Sequence, residues 1–145
     1  MTEGDVLAVE AANESLYAAF EAADLDVMSE LWIDGDMSNK ARCVHPGSEA
    51  IVGRESILRS WALLMANTEY LQFIVTETET VVEGDLAVVT CVENVLSSGG
   101  VNRPLGAGRA LTTNGFFRVD GVWRLWLHHA SPVLSDASDQ IGEEP

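Results

Sequence analysis

His45, Asn114 and His129 are the side chains in this 145-residue chain with the chemistry to move a proton. An imidazole titrates near neutrality and serves as acid or base, and a carboxamide orients a carbonyl. The two histidines end short hydrophobic runs: His45 follows Ala41-Arg42-Cys43-Val44 and precedes Pro46-Gly47, while His129 closes Trp123-Arg124-Leu125-Trp126-Leu127-His128-His129. Alternation along the second run places Trp123, Leu125, Leu127, His129 and Ser131 on one face and Arg124, Trp126 and His128 on the other. The first set is the more apolar, so His129 is expected to face the core. Asn114 shares a strand face with Phe116. Asn94 sits among Val88, Thr90 and Val92, where a strand neighbour or solvent competes with a ligand for its amide. Trp32, Trp61, Trp123 and Trp126 supply large apolar area, of which Trp32 and Trp61 are candidates to line a small-molecule pocket with Phe116 and Asn94. For each histidine the competing reading is structural, a ring bonded to a nearby carbonyl or anchoring a turn.

Other chemistries lack their signatures. Cys43 and His45 project from one side of a strand, yet with Cys91 and His129 they form none of the recognised metal spacings, so no metal and no cofactor are expected. Gly99-Gly100 and Gly106-Ala107-Gly108 lie between or within strands rather than before a helix, which removes a phosphate loop; they read as a flexible loop and a strand irregularity. The two cysteines are expected to stay reduced.

The elements that position these residues follow from periodicity. Asp5 to Ala23 reads as a helix through Val9, Leu16 and Phe20, with Asn13 inside the apolar stripe. Asp24 caps a second helix, Leu25 to Trp32, and a third runs from about Arg54 to Asn67. Ala41 to His45 is a short strand. Leu71 to Glu83, Leu86 to Ser97, Leu105 to Val119 and Val122 to Ser131 are longer strands, the last two joined at Asp120-Gly121. Three N-terminal helices packed on one face of a curved antiparallel sheet make an α+β cone.

Composition bounds the rest. At 47% hydrophobic residues the chain fits a single domain over residues 1–134, followed by an acidic tail over 135–145 that folding does not need. A net charge of −15, with 23 acidic and 8 basic residues, repels phosphate backbones and excludes nucleic acid as a partner. No run approaches the roughly 20 apolar residues of a membrane span. The acidic start is unlike a signal peptide, so a cytoplasmic location is expected.

The order helix, helix, Cys43-Val44-His45-Pro46-Gly47, Val52-Gly53-Arg54-Glu55-Ser56-Ile57, then long strands ending Trp123-Arg124-Leu125-Trp126-Leu127-His128-His129-Ala130-Ser131 resembles the NTF2-like superfamily, in its SnoaL-like branch related to ketosteroid isomerases. The resemblance implies a cystatin-like cone, a homodimer formed through the open sheet face, and a small apolar, cyclic ligand in the cone. It spans isomerases, cyclases, dehydratases and non-catalytic association domains. In ketosteroid isomerases the place of His45 carries the aspartate that moves the proton. The tyrosine and aspartate that hold their enolate fall here at Leu16 and near Gly115, so that particular chemistry is not expected. Tyr17 is expected to face elsewhere. His45 and His129 lining one cavity would favour an enzyme; on opposite sides of the sheet, or both open to bulk water, they would overturn an enzyme built on that pair and leave an association domain as the better account. The exposed sheet face is expected to carry Trp126 with Val89 or Val95.

Overall fold

A computed structural model describes residues 2–98 and 106–134, so the loop at Gly99-Gly100 and the tail over 135–145 lie outside the described residues. Helix α1 spans Glu3–Glu21 and α2 spans Leu25–Leu31, capped by Thr2 and Asp24, whose side chains accept from the backbone N–H groups of Asp5 and Val27. A 3-10 turn at Gly35–Lys40 leads to β1 (Arg42–Val44), β2 (Ile51–Val52) and α3 (Arg54–Ala66). Four long strands follow: β3 (Tyr70–Glu83), β4 (Leu86–Ser98), β5 (Gly106–Val119) and β6 (Val122–Pro132).

These strands form one sheet in the order β2-β1-β6-β5-β4-β3. Pairing is antiparallel except that β1 runs parallel to β6, with Cys43 opposite His128. The parallel pairing brings the first strand's end beside the last strand, although 85 residues separate Cys43 from His128. The β5–β6 hairpin turns at Asp120 and Gly121, both at positive φ (51° and 80°), the backbone that a two-residue turn requires. The expected α+β cone is present.

The concave face and α1, α2 and α3 enclose the core. Val9, Leu16, Met28, Trp32, Ile57, Trp61, Val89, Phe116 and Leu125 are among its buried side chains. Arg118 clamps the edge, donating to Asp5 on α1 and Asp85 in the β3–β4 turn and lying over the Trp123 ring.

One irregularity decides which residues face inward. Gly115 pairs with Leu127 and Phe116 with Leu125, so Trp126 is an extra residue in β6, a β-bulge. A Cβ on Gly115 would lie 3.0 Å from the Trp126 indole nitrogen and 3.2 Å from the Leu127 Cβ. Both side chains therefore crowd the same side, over a residue with none. Alternation restarts beyond the bulge in the opposite phase: Trp123 and Leu125 point inward, and then His128 and Ala130, not His129, are buried. The inward assignment of His129 is thereby corrected. Val89 and Val95 are also concave-side residues, Val89 fully buried, so they do not belong to the open face. Trp126 does, stacked on Phe117 at 5.3 Å between ring centroids. Gly106-Ala107-Gly108 pairs regularly with Ser97, Leu96 and Val95; besides the Trp126 bulge, the sheet breaks register between Thr76 and Glu79, where Glu77 has positive φ.

Candidate functional site

His45 leaves β1 where Pro46 stops the strand, and Trp61 rises from α3 to meet it edge-on at 4.7 Å between centroids. His128 comes from β6, 6.3 Å from the His45 ring and 5.5 Å from the Trp61 ring. These three line a cavity of about 240 Å³ between the helices and the concave sheet. Its walls are apolar, with Leu16, Phe20, Leu64, Leu71, Phe73 and Val95, while Tyr17, Glu93 and Ser97 add polar groups. A mostly apolar cavity with a few convergent polar groups is the form of a small-molecule site.

Of the four residues expected to line one cavity, the structure brings His45 and Trp61 together. The other candidates are elsewhere. His129 is exposed on the opposite face of the sheet, beside Thr90, Leu111 and Ser131, so it and His45 do not share a cavity. Asn114 is fully buried behind the cavity wall, where Asn13, Tyr17 and His128 take its hydrogen bonds. Phe116 is core on the same strand face. Trp32 is fully buried where the chain leaves α2, its backbone bridged to Leu125. Asn94 faces outward and donates to the Ile74 carbonyl and the Thr76 hydroxyl, the strand-neighbour alternative.

Three further residues, Tyr17, Glu93 and His128, join the site. Tyr17 is buried and donates to Glu93 Oε2 at 2.7 Å, so the expectation that it faces elsewhere is corrected. The signal was available, because Asn13 and Tyr17 are one helical turn apart on a stripe with Val9. Glu93 alternates with Val89, Cys91 and Val95 on the concave face, a carboxyl on an otherwise apolar strand side. His128 had no such signal, because the bulge that turns it inward arises from pairing with Gly115.

Burial governs the electrostatics. It holds the His45 imidazole down to about 4 and the His128 imidazole to about 3, the latter with repulsion from His45 and His129, so both rings are neutral at pH 7. Burial pushes the Glu93 carboxyl above the ordinary range, against the hydrogen bond from Tyr17. Tyr17 is itself raised by burial and by Glu93. His45 Nε2 lies 2.9 Å from Ser60 Oγ, and Ser60 donates its own proton to the Ile57 carbonyl at 2.6 Å. Ser60 can then only accept, which protonates Nε2 and leaves Nδ1 as the basic atom of His45. Among the described residues no group of three His, Cys, Asp or Glu side chains could hold a metal ion, and no helix is long and apolar enough to cross a membrane.

Comparison with known proteins agrees with this architecture. A provisionally assigned dehydratase of the NTF2-like family from Streptomyces avermitilis shares 42% identity and superposes with a TM-score of 0.87, over 92% of this chain and 99% of that one. A provisionally assigned calcium/calmodulin-dependent protein kinase type II association domain from Thiobacillus denitrificans is 27% identical, with a TM-score of 0.70 over 86% and 94% of the two chains. The F-box protein SKIP8 of Arabidopsis thaliana is 27% identical across 89% of this chain, which spans about half the length of that relative. The SnoaL-like domain profile matches residues 9–135, so the chain belongs to the SnoaL-like domain family within the NTF2-like fold.

Proposed function

We propose that the protein is a cofactor-independent lyase of dehydratase type, acting on a small, mostly apolar hydroxy-carbonyl compound held in the concave cavity. The observation that carries this reading is the meeting of a neutral imidazole with a basic nitrogen, His45, and a carboxyl held toward its protonated form, Glu93, in one apolar cavity. Elimination of water needs that pair. His45 Nδ1 takes the proton next to the carbonyl, the electron pair forms the new double bond, and the hydroxyl departs with a proton from Glu93 as water. Return of the proton from His45 to Glu93 resets the site. Among the described residues lining the cavity there is no lysine or arginine, which with the −15 net charge favours an uncharged substrate. Likeness to the Streptomyces protein supports the reaction class.

The test is a search for bound small molecules in the purified protein by native mass spectrometry, followed by incubation with the hydroxy-carbonyl precursor of whatever is found. Loss of 18 mass units from the precursor supports the reading; a ligand retained unchanged makes the cone a binding module. The separation of His45 from His129 overturns the enzyme reading that joined them and favours an association domain instead, which an empty, ligand-indifferent cavity would select; the elimination reading rests on Glu93 in place of His129.

We also propose a homodimer formed through the convex sheet face, where Ile74, Val81 and Leu111 are each more than half exposed and Trp126 and Leu127 lie beside Gly115. Light scattering at micromolar concentration is expected to give twice the 15.7 kDa chain mass. A monomer would refute it.

A further inference from the structure

We propose that His128 is clamped as an obligate hydrogen-bond acceptor, which makes its end of the cavity a reader of a ligand hydroxyl. The proposal deepens the ligand-site reading above and rests on it.

Donors and acceptors around Asn114 decide the tautomer. Asn114 Nδ2 donates to Asn13 Oδ1 at 2.7 Å and to the Tyr17 hydroxyl at 3.2 Å, and Tyr17 spends its only proton on Glu93. Both amide hydrogens of Asn114 are thus directed toward α1. Its Oδ1 is left to face His128 Nδ1 at 2.6 Å, and an amide oxygen can only accept. Nδ1 must therefore carry the ring proton. In the neutral imidazole Nε2 then holds the lone pair, on the side of the ring away from Asn114.

Nothing in this set can flip alone. Rotating the Asn114 amide would set its Oδ1 against Asn13 Oδ1 and take both amide hydrogens away from Asn13 and Tyr17, leaving buried polar groups unpaired. The network spans α1, β4, β5 and β6, so the tautomer is fixed by the fold. A ligand O–H meets a waiting acceptor at His128, whereas a carbonyl or ether there meets a lone pair. Sites that hydrogen-bond a hydroxyl in this way reject the analogue lacking it, because their buried group is left unpaired. Asn114 is accordingly a positioning residue, acting through His128.

Two measurements on the full chain test this. Imidazole ¹⁵N spectra at pH 7 should show His128 with Nδ1 protonated and Nε2 unprotonated. Asn114→Leu should shift that ring toward the opposite tautomer, whereas Asn13→Asp, which keeps the acceptor for Asn114, should leave it unchanged. A wild-type His128 protonated at Nε2 overturns the proposal, even if neither variant folds. Titration with 2-naphthol and 2-methoxynaphthalene supplies the second reading: the naphthol should bind at least about tenfold more tightly, and Asn114→Leu should erase the difference. Equal affinities in the wild type overturn the hydroxyl reader. Failure of both probes to bind, with the expected tautomer, overturns the ligand-site reading and with it the reader, while the clamp itself stands.

Discussion

His45→Ala is expected to lower turnover of the hydroxy-carbonyl substrate by about 10²-fold or more, since a positioned base contributes on that scale. Glu93→Gln should act similarly by removing the acid, because an amide cannot give up a proton to a departing hydroxyl. The fold should survive both. His45 is only partly buried, and its hydrogen bond to Ser60 is a net contribution of about 1 kcal/mol, so the melting temperature should fall by only about 2–4 °C. Steady-state kinetics with thermal melting separates the two effects. A His45→Ala protein that turns over at the wild-type rate would remove the elimination mechanism. One that only binds its ligand somewhat more weakly would leave a binding module.

The second large effect is acid destabilisation. His45 and His128 are held at about 4 and about 3 in the folded chain, against 6.5 when unfolded. Above pH 6.5 both states carry neutral rings and the histidines cost nothing. As pH falls below 6.5 the unfolded chain takes up protons that the folded chain refuses, and stability is lost until the folded values are passed. At about 1.4 kcal/mol for each pH unit of difference, the two rings together remove on the order of 5 kcal/mol by about pH 4.5, comparable with the whole stability of a small domain. Glu93 acts in the opposite direction, because its raised carboxyl gives stability that is present below the unfolded value and lost as pH rises through the folded one. Over most of the acid window two histidines outweigh one carboxyl. Urea midpoints at pH 7, 5.5 and 4.5 should fall steeply, and less steeply in His128→Gln. A flat series, or one that His128→Gln leaves unaltered, would show that the rings are not buried neutral.

Much of the architecture was legible in the sequence because its signals are local. Asp24 caps a helix whatever lies around it, Asp120-Gly121 makes a two-residue turn by its own backbone preferences, and the change from helical to alternating periodicity after Asn67 sets helices before sheet. His45 followed from the same kind of evidence, since Pro46 ends the strand that carries it. Trp61 followed from the helical stripe it shares with Ile57 and Leu64. The polar centre of the cavity did not follow. Whether His128 or His129 turns inward depends on one extra residue in β6, and that bulge exists because Gly115, on the neighbouring strand, leaves room for Trp126 and Leu127 on the same side. Asn114 looked like a ligand contact until Asn13, 101 residues away, took its amide. Element type, element order and the positions of His45 and Trp61 along their elements are local properties of the chain. Which polar side chains face the cavity is a property of the assembled sheet, because register and hydrogen-bond partnership are settled between strands and not within them.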